Sequence, residues 1–458
     1  MLRGVTWRSF GLIGCETLVI FACVYAAAVL RFGLEDAYTG GNGLWKAGLI
    51  ALVTQVCLYF ADLYDFRVIA DRRELFISAV QALGATALIL AGLYYWFPDL
   101  VVGRGVFAVA TGLIVTLVFG WRLLFEWALR QIGPRDRLLL VGTSEGAVRL
   151  ARELHERRDL GVAIVGFIDP DPGRVGTPII NPGVIGTMED IPAIVRARSV
   201  DQVVVSLSDA RGKLPMEKLL EMKLDGVQFE HLASVYEKYT GKIAVENLRP
   251  SWLIFSEGFR KSRLHRVSKR LMDVLLAAIG LVLTAPLMLI VAVAVKLTSR
   301  GPIVYRQQRV GLHGRIFHAL KFRSMGVDAE KDTGAVWASR DDDRVTRVGR
   351  LIRQTRMDEL PQLWNILCGH MSLVGPRPER PEFVADLTRQ IPFYGQRHTV
   401  RPGLTGWAQV QYTYAASVED ALEKLQYDLF YIKNTSLALD LFIITKTIKT
   451  VLMRKGAQ

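Results

Sequence analysis

Residues 271–298 read LMDVLLAAIGLVLTAPLMLIVAVAVKLT, and this apolar run decides how the second half of the chain can fold. As one straight helix it would be about 42 Å long, which is enough to cross a bilayer. Pro286 lies near its middle, where the proline ring removes the hydrogen bond to the carbonyl of Val282 and kinks a helix. Thr284 offers a hydroxyl close to the freed carbonyl. The sequence therefore predicts a helix that is broken at Pro286.

Basic residues on both sides of this run argue against a crossing, because the positive-inside bias keeps such flanks on the cytoplasmic side. We therefore predict a re-entrant helix over residues 266–299, which enters one leaflet, breaks at Ala285-Pro286 and returns. An ordinary kinked span is the alternative. The flanking residues are Arg260, Lys261, Arg263, Arg266, Lys269 and Arg270 before the run, and Lys296, Arg300, Arg306 and Arg309 after it.

Four further apolar runs, each of about 20 residues, precede this segment. For the first run a cleaved signal peptide is the rival interpretation, which the three later runs disfavour. Arginines follow the second and fourth runs, so the N-terminus and everything after residue 130 should be cytoplasmic. We predict a membrane helical bundle over residues 1–132, with four transmembrane helices at residues 9–30, 44–64, 76–97 and 105–128.

Composition fits a membrane protein that also carries water-soluble parts. Hydrophobic residues make up 51% of the 458 residues, yet charged residues reach 22%, so apolar segments must alternate with soluble ones. An anionic membrane face and phosphorylated substrates explain the net charge of +13 better than nucleic acid does. The four cysteines form no CxxC pair and the seven histidines show no HExxH spacing, so neither a disulfide framework nor a zinc enzyme is expected.

From Arg137 the pattern changes to short β-rich runs separated by helical stretches, which is typical of a parallel α/β sheet. We predict a Rossmann-like cytoplasmic domain over residues 133–255. Its first turn, residues 142–146, reads GTSEG, with Ser144 in place of the middle glycine of a dinucleotide loop. A structural or regulatory module is favoured, and a bound nucleotide stays open. The β-rich runs are residues 138–141, 163–167 and 202–205.

Two adjacent carboxylates, Asp358 and Glu359, stand in the run MDELPQ of residues 357–362, and the basic turn GPRP of residues 375–378 follows. Carboxylates with guanidinium groups nearby can hold a metal, a phosphate and a nucleophile in one site, which points to phosphoryl transfer. An isolated acidic pair would more often mark a helix start, where carboxylates are favoured by the helix dipole. The surrounding motifs decide between these two interpretations.

Six motifs follow one another in the last third of the chain. They are KRLMD from Lys269, GPIVYRQ from Gly301, KFRSM from Lys321, DELPQLWNIL from Asp358, SLVGPRP from Ser372 and RPGLTGW from Arg401. Through them residues 266–458 resemble the bacterial polyprenyl-phosphate phosphoglycosyltransferases of the monotopic class, and the whole chain resembles the large form of that family. Ala285 departs from the serine that some members carry before the proline, which leaves the kink but removes a hydroxyl.

The resemblance implies transfer of a hexose 1-phosphate from a UDP-sugar to undecaprenyl phosphate with release of UMP, as the first membrane step of exopolysaccharide synthesis. It implies that Asp358 is a nucleophile that forms a covalent phosphosugar, and that Glu359 is a ligand of Mg²⁺, which offsets the repulsion between carboxylate and diphosphate. We expect a mostly helical catalytic domain over residues 256–458, on the cytoplasmic side of the bacterial inner membrane. Glucose is the first expectation for the sugar and galactose the second, and a homodimer is expected.

Basic residues around the acidic pair are candidates for substrate binding. Arg377, held between two prolines, is expected to grip the diphosphate of the UDP-sugar. Lys321 and Arg323 alternate with a phenylalanine, so they are expected on one face of a strand that points at the site, or else as exposed charges at a strand edge. Arg401 and Thr405 stand in a tight glycine-containing loop that we expect to cradle phosphate or uridine.

Lys269, Arg270 and Asp273 stand where the re-entrant helix leaves the interface, and they are candidates for the lipid phosphate. Anchoring of the helix is the alternative. The run Asp341-Asp342-Asp343 is interleaved with arginines and is interpreted as a solvated or salt-bridged loop, not as a second metal site. The apolar stretch at residues 436–453, with basic residues close by, is expected to lie as a helix in the headgroup plane.

Two other functions stay open. A membrane-anchored nucleotide-sugar dehydratase also joins four spans to a Rossmann-like module. It needs an intact glycine fingerprint and a tyrosine followed four residues later by lysine, and none of the 14 tyrosines has that lysine. A non-catalytic scaffold of polysaccharide export is the second alternative, which an assay of UMP release from UDP-sugars would separate from the enzyme.

Overall fold

The chain divides by its internal contacts into two compact units. The first comprises Met1–Leu138, Leu154–Val165 and Ser199–Asp201, and the second comprises Leu139–Glu153, Gly166–Arg198 and Gln202–Gln458. The domain limits drawn from the sequence stay predictions. The structure, a computed structural model, describes residues 7–33, 43–61, 63–64, 72–101, 104–132, 136–156, 161–206, 216–245, 256, 258–326, 329, 343–412 and 417–452.

Four apolar helices make up most of the first unit, and each coincides with a run predicted from the sequence. They are α1 (Trp7–Phe32), α2 (Gly43–Phe60), α3 (Arg72–Trp96) and α4 (Arg104–Ile132). Two of them contain stretches long and apolar enough to cross a membrane, Ile13–Arg31 and Phe76–Trp96, whereas the apolar parts of α2 and α4 are shorter. The helices are therefore confirmed, and four membrane crossings stay a prediction.

A buried ion pair joins the first and the last of these helices. Arg122 Nε lies 2.7 Å from Glu16 Oε1, and Arg122 Nη2 donates to Glu16 Oε2 at 2.8 Å. The Tyr64 hydroxyl donates to the same carboxylate at 2.6 Å. Because an unpaired charge is costly in apolar surroundings, this pairing holds α1 and α4 in one register.

A five-stranded sheet follows, with strand order β3-β2-β1-β4-β5, in which β2–β3 and β4–β5 are parallel pairs. This is the order of a Rossmann-like sheet, in which the chain winds outward on both sides of the first strand. The predicted parallel α/β pattern is confirmed. The elements are β1 (Asp136–Val141), α5 (Glu145–Glu156), β2 (Val162–Ile168), β3 (Val184–Gly186), α6 (Ile191–Arg198), β4 (Gln202–Val205), α7 (Met216–Leu224), β5 (Gln228–His231) and α8 (Leu232–Thr240).

The turn after β1 is closed by hydrogen bonds among its own polar side chains. The Thr143 hydroxyl donates to Asp169, and Ser144 and Ser206 share a hydrogen bond between their hydroxyls. Arg174 lies 3.3 Å from the Asp169 carboxylate. Ser144 stands at the position where a dinucleotide loop has its middle glycine, and its hydroxyl is bonded to Ser206. These contacts favour the structural or regulatory interpretation of the module.

The apolar run at residues 271–298 lies in one helix, α9 (Arg263–Thr298), with Pro286 inside it. The chain stays helical on both sides of the proline, because a single proline removes one hydrogen bond, and the break at Ala285-Pro286 stays a prediction. Thr284 donates to the carbonyl of Gly280 at 2.7 Å, not to that of Val282. The helix is long and apolar enough to cross a membrane, and its return to one membrane face stays a prediction.

Both halves of α9 pack against the last third of the chain. Before the proline, Ala277 joins a buried cluster with Ile366. After the proline, Val295 joins another with Phe322. The opposite side of the helix exposes large apolar side chains over its whole length, as a lipid-facing surface would. These are Leu264, Val267, Leu271, Leu275, Ile279, Val282, Leu283, Leu289, Ile290, Val293 and Leu297.

Two small sheets and six helices complete the described part of the second unit. One sheet is antiparallel and the other is a parallel pair. The stretch predicted to lie in the headgroup plane is helical, and its depth in the membrane stays a prediction. The elements are β6 (Val304–Val310), β7 (Ile316–Phe322), α10 (Arg347–Gln354), α11 (Gln362–Leu367), β8 (Ser372–Val374), α12 (Pro381–Gln390), β9 (Gly403–Thr405), α13 (Trp407–Gln411), α14 (Val418–Asn434) and α15 (Leu437–Leu452).

Candidate active site

The acidic pair lies on a single 3-10 turn, Met357–Glu359, between α10 and α11. Arg356, just before it, has a φ of 55°, and this left-handed residue turns the chain out of α10 and into the acidic turn. Asp358 and Glu359 are each only 8% exposed. Both carboxylates are therefore drawn into the protein, which an acidic pair that merely favours a helix start does not require.

Asn365 on α11 fixes the acidic turn against strand β7. Its Oδ1 accepts a hydrogen bond from the Leu320 backbone N–H at 2.9 Å, and its Nδ2 donates to the His318 carbonyl at 2.8 Å. The buried amide thus continues the hydrogen-bonding pattern of the strand. As a result Lys321, the next residue along β7, is held beside Glu359.

Two cations meet at one carboxylate oxygen. Lys321 Nζ lies 3.0 Å and Arg377 Nη2 2.6 Å from Glu359 Oε1. Both cations remain partly exposed, whereas the carboxylate is buried. The structure therefore brings together four residues predicted from three separate motifs: Asp358, Glu359, Lys321 and Arg377.

The pKa values of the two carboxyl groups are shifted in opposite directions. Burial raises the pKa of Asp358, Lys321 opposes that rise and the charge of Glu359 adds to it. Burial also disfavours the charge on Glu359, but Arg377 and Lys321 outweigh it and hold the pKa of Glu359 well below its usual range. Among the residues that the structure describes, none donates a hydrogen bond to Asp358, so no donor competes for the lone pairs of its oxygens. Glu359 is the permanent charge of the site, and Asp358 is the more basic carboxylate.

The turn that carries Arg377 is built by close contact between backbones. Strand β8 pairs with β9, and the glycines beside this pair leave no room for a side chain. A Cβ added to Gly375 would lie 2.4 Å from the carbonyl oxygen of Arg401, and one added to Gly403 would lie 2.2 Å from the nitrogen of Gly375. Only glycine permits this approach, so the RPGLTGW motif braces the SLVGPRP motif.

The other substrate candidates in these strands and loops point elsewhere. Arg323 donates to the carbonyl and the hydroxyl of Ser299, both at 2.8 Å, and so fastens the end of α9 to the strand. Arg401 donates to the Gly369 carbonyl at 3.0 Å, and Thr405 shares a hydrogen bond of 2.7 Å with Thr447. No described contact brings these three residues to the acidic pair, and their roles in substrate binding stay predictions.

The three residues predicted to meet a lipid phosphate make their hydrogen bonds inside the protein. Arg270 donates to the carbonyls of Ile366 and Leu367 at 2.7 and 2.8 Å, at the C-terminal end of α11. Asp273 is 1% exposed and accepts from the Leu373 backbone N–H at 3.0 Å. These contacts favour the anchoring interpretation that the sequence left open.

Lys269 belongs to the same anchor. Its ammonium lies 2.7 Å from the buried Asp440 carboxylate and donates to the Val374 carbonyl at 3.2 Å. The start of α9, strand β8 and helix α15 therefore meet at one lysine.

A Mg²⁺ ion fits the acidic pair only together with phosphate oxygens. Within the described ranges, no group of three or more His, Cys, Asp or Glu side chains could hold a metal. Mg²⁺ commonly binds through one or two carboxylates with substrate phosphates and water completing its shell. Glu359, ionised and buried, and its neighbour Asp358 supply such a partial set.

Three residues near the site were missed by sequence reasoning. Arg353 lowers the pKa of Asp358, and its Nε donates to the Ser324 hydroxyl at 2.8 Å. Asn365 stands inside a quoted motif, but nothing in the motif indicated its contact with β7. Arg397 donates to the backbone carbonyl of Arg377 at 3.0 Å. Of the three, only Arg353 had a signal in the sequence, because it stands five residues before Asp358.

Comparison with known proteins identifies two matching family models. One, described as bacterial sugar transferase, matches residues 264–454, and the other, described as CoA-binding domain, matches residues 59–220. The chain is 44% identical over 259 residues to the UDP-N-acetylgalactosamine-undecaprenyl-phosphate N-acetylgalactosaminephosphotransferase of Aeromonas hydrophila, a match that covers 56% of this chain and 60% of that protein.

Two further relatives carry the name UDP-glucose:undecaprenyl-phosphate glucose-1-phosphate transferase. The protein from Xanthomonas campestris pv. campestris is 34% identical over 340 residues, which is 70% of this chain and 68% of the relative. The one from Escherichia coli K12 is 33% identical over 344 residues, which is 72% of this chain and 70% of the relative.

Proposed function

We propose, since this chain belongs to the bacterial sugar transferase family, that it transfers a sugar 1-phosphate from a UDP-sugar to undecaprenyl phosphate and releases UMP. The observation that carries the proposal is the site itself, in which the buried pair Asp358 and Glu359 faces Lys321 and Arg377. The named activities of the relatives support the same reaction class.

In the first step, an oxygen of the Asp358 carboxylate attacks the phosphorus that bears the sugar. A bond forms between that oxygen and phosphorus, the bond from phosphorus to the bridging oxygen breaks, and UMP leaves with the electron pair. The raised pKa of Asp358 supports this role, because a more basic carboxylate is a stronger nucleophile once ionised. The role is also supported because no described residue donates a hydrogen bond to Asp358.

Lys321 and Arg377 are placed to meet the diphosphate as it enters. Both are paired with Glu359, and phosphate oxygens offer stronger partners for a guanidinium fork. Glu359 would then be left to hold Mg²⁺ with the diphosphate oxygens. The metal, when bound, offsets the negative charge that builds up on the phosphates.

In the second step, an oxygen of the lipid phosphate attacks the same phosphorus. The bond from phosphorus to Asp358 breaks, which restores the carboxylate and gives the lipid-linked diphosphate sugar. The lipid phosphate reaches this depth if α9 rests in one leaflet of the cytoplasmic membrane with the catalytic region on its cytoplasmic side. In support, the first half of α9 is tied to this region through Arg270, and its far end through Ser299.

A two-step assay tests the reaction and its intermediate. Purified full-length protein with UDP-sugar and Mg²⁺ but without lipid should release UMP in an amount equal to the enzyme and then stop. Adding undecaprenyl phosphate should start steady turnover. Release of UMP only when lipid is present would remove the covalent intermediate, and no release with any UDP-sugar would leave a dehydratase or a scaffold as the better function.

The identity of the sugar requires a panel of donors. Glucose remains our first proposal and galactose the second, and the similarity to the A. hydrophila protein adds N-acetylgalactosamine as a third. We expect the values of kcat/KM for UMP release to separate these donors, because a site built to hydrogen-bond a hydroxyl rejects the sugar that lacks or misplaces it.

A further inference from the structure

Arg397 is a buried cation next to the site that the proposed reaction does not use. It is 5% exposed, and its guanidinium makes three contacts. Nη1 donates to the Tyr394 hydroxyl at 2.6 Å, and Nη2 donates to Asp428 Oδ2 at 2.8 Å. Nη2 also donates to the backbone carbonyl of Arg377 at 3.0 Å. The third contact links a buried ion pair to the backbone of a residue at the centre of the site.

We propose that Arg397 is a positioning residue, which holds the backbone at Arg377 so that the side chain of Arg377 is aimed at the diphosphate of the donor. The inference rests on the proposed function and deepens it. Arg397 itself does not touch substrate. Its effect is therefore on how well the nucleotide is held, and it acts through Arg377.

The backbone around Arg377 is held at four consecutive residues. The Gly375 N–H donates to the Thr405 carbonyl, and the Pro376 carbonyl accepts from the Gly403 N–H, each at 2.9 Å. The Pro378 carbonyl accepts from Arg309 at 2.8 Å. Arg397 supplies the remaining contact, at Arg377 itself.

That contact is the one nearest to the working side chain. The two flanking prolines have fixed φ angles and no N–H to donate, so the orientation of the intervening peptide depends on what its carbonyl accepts. A displacement of about 1 Å in a substrate-positioning group can cost about 100-fold in rate. A guanidinium serves this purpose because its planar donors can bind a carboxylate and a carbonyl at the same time.

The partner of Arg397 is rigidly mounted. Asp428 is 1% exposed and lies on α14. Near the two ends of this helix, Lys433 lies 2.6 Å from Glu237, and Glu423 lies 2.5 Å from Lys242. Since ion pairs hold α14 near both ends, the carboxylate that binds Arg397 lies on a fixed helix and not on a mobile loop.

The test compares three substitutions in the full-length protein. Arg397→Lys keeps the charge but has no fork that can bind Asp428, Tyr394 and the carbonyl together, so we expect KM for the UDP-sugar to rise about 10-fold or more. KM for undecaprenyl phosphate should not change. Tyr394→Phe removes one contact and leaves the bond to Arg377, so its KM should stay within about 2-fold of wild type. Arg389→Lys, on the exposed α12, is the matched control and should behave as wild type.

Two readouts separate positioning from a purely structural role. The first is the Kd for UDP, measured by titration calorimetry, which should weaken with Arg397→Lys by the same factor as KM. The second is the Tm of each variant, and the kinetic assays are run well below that temperature. If Arg397→Lys lowers Tm but leaves both KM and Kd unchanged, Arg397 is structural and the inference is overturned. If Arg397→Lys does not fold, Asp428→Asn replaces it, with the same expected rise in KM and Kd.

The same measurements distinguish failure of the inference from failure of the proposed function. A wild-type protein that binds UDP but releases no UMP refutes the function, while the Kd of the variants still decides the role of Arg397. A wild-type protein that neither binds UDP nor releases UMP refutes both. Wild-type turnover together with an unchanged KM in Arg397→Lys refutes the inference alone.

Discussion

Two clusters of charged side chains lie in the last third of the chain, and they are built differently. In the anchor cluster, Asp440 accepts from Lys269 with one oxygen and from the Tyr431 hydroxyl with the other, each at 2.7 Å. In the site cluster, one oxygen of Glu359 receives both Lys321 and Arg377. The adjacent Asp358 accepts no hydrogen bond from the described residues.

This difference separates a structural ion cluster from a reactive one. The carboxylate of the anchor cluster has a donor at each oxygen, so a ligand could enter only by breaking existing bonds. The site cluster has two adjacent buried carboxylates and partly exposed cations, so a phosphate can compete with Glu359 for those cations. Substitutions in the site cluster should therefore change the chemistry, and substitutions in the anchor cluster should change stability.

The largest effect is expected from Asp358→Asn. An amide has no carboxylate oxygen to form the phosphosugar bond, so turnover should fall by more than about 1,000-fold, and the burst of UMP without lipid should disappear. The measurement is UMP release per enzyme. Asp343→Asn, at an exposed carboxylate of the neighbouring loop, is the matched control and should retain activity. Retained turnover in Asp358→Asn would remove the nucleophile assignment.

Arg377→Lys should have the next largest effect. Loss of the two-pronged guanidinium costs about one hydrogen bond to a charged group, about 1.5–3 kcal/mol, which corresponds to about a 10- to 100-fold rise in KM for the UDP-sugar. Steady-state kinetics with varied UDP-sugar measure it. Arg389→Lys serves again as the exposed control. An unchanged KM would show that Arg377 pairs with Glu359 without meeting the donor.

The elements of the fold were readable from sequence because their signals are local. The β-rich runs at residues 138–141, 163–167 and 202–205 fall inside strands β1, β2 and β4, and the four apolar runs fall on helices. At Pro286 the local rule gives the lost hydrogen bond, and the structure adds that the residues on both sides are helical. A local rule gives the free-energy cost of one proline in a helix. The packing of α9 on both sides of the proline offsets that cost.

Residues of the candidate site could be predicted from sequence only where a motif contains a side chain suited to the chemistry. Asp358, Glu359 and Arg377 carry groups that suit phosphoryl transfer, but it was the surrounding motifs that favoured a site over a helix start. For Asp273 and Arg270 the sequence left two roles open, because their partners, Leu373 and Ile366, lie about 100 positions away in sequence. Sequence spacing carries no information about such partners, and only the folded chain shows that both side chains hydrogen-bond to the protein backbone.

Asp440→Asn tests the anchor cluster and should change stability, not chemistry. Lys269 would lose its charged partner in a largely buried place, which should lower the free energy of unfolding by about 1–3 kcal/mol. Thermal unfolding in detergent should show the lower Tm, while kcat measured on the folded protein stays within about 2-fold of wild type. Asp386→Asn, in an exposed ion pair, should leave Tm unchanged. A loss of kcat without a loss of Tm in Asp440→Asn would place the anchor cluster within the reactive site.

The smallest expected effect is a shift of the pH profile, and it belongs to the site cluster alone. Asp358 must be ionised to attack, and burial raises its pKa above the ordinary value of 3.8, so the single-turnover rate of UMP release should fall as pH is lowered, with a midpoint above 3.8. Arg353 lowers that pKa, so Arg353→Gln should move the acid limb to higher pH, whereas Arg350→Gln, on the exposed side of α10, should not. Omitting lipid keeps the titration of its phosphate out of the measurement. An acid limb that stays in place in Arg353→Gln would mean that a group other than Asp358 controls the first step, and the contrast between the two clusters would then have to rest on geometry alone.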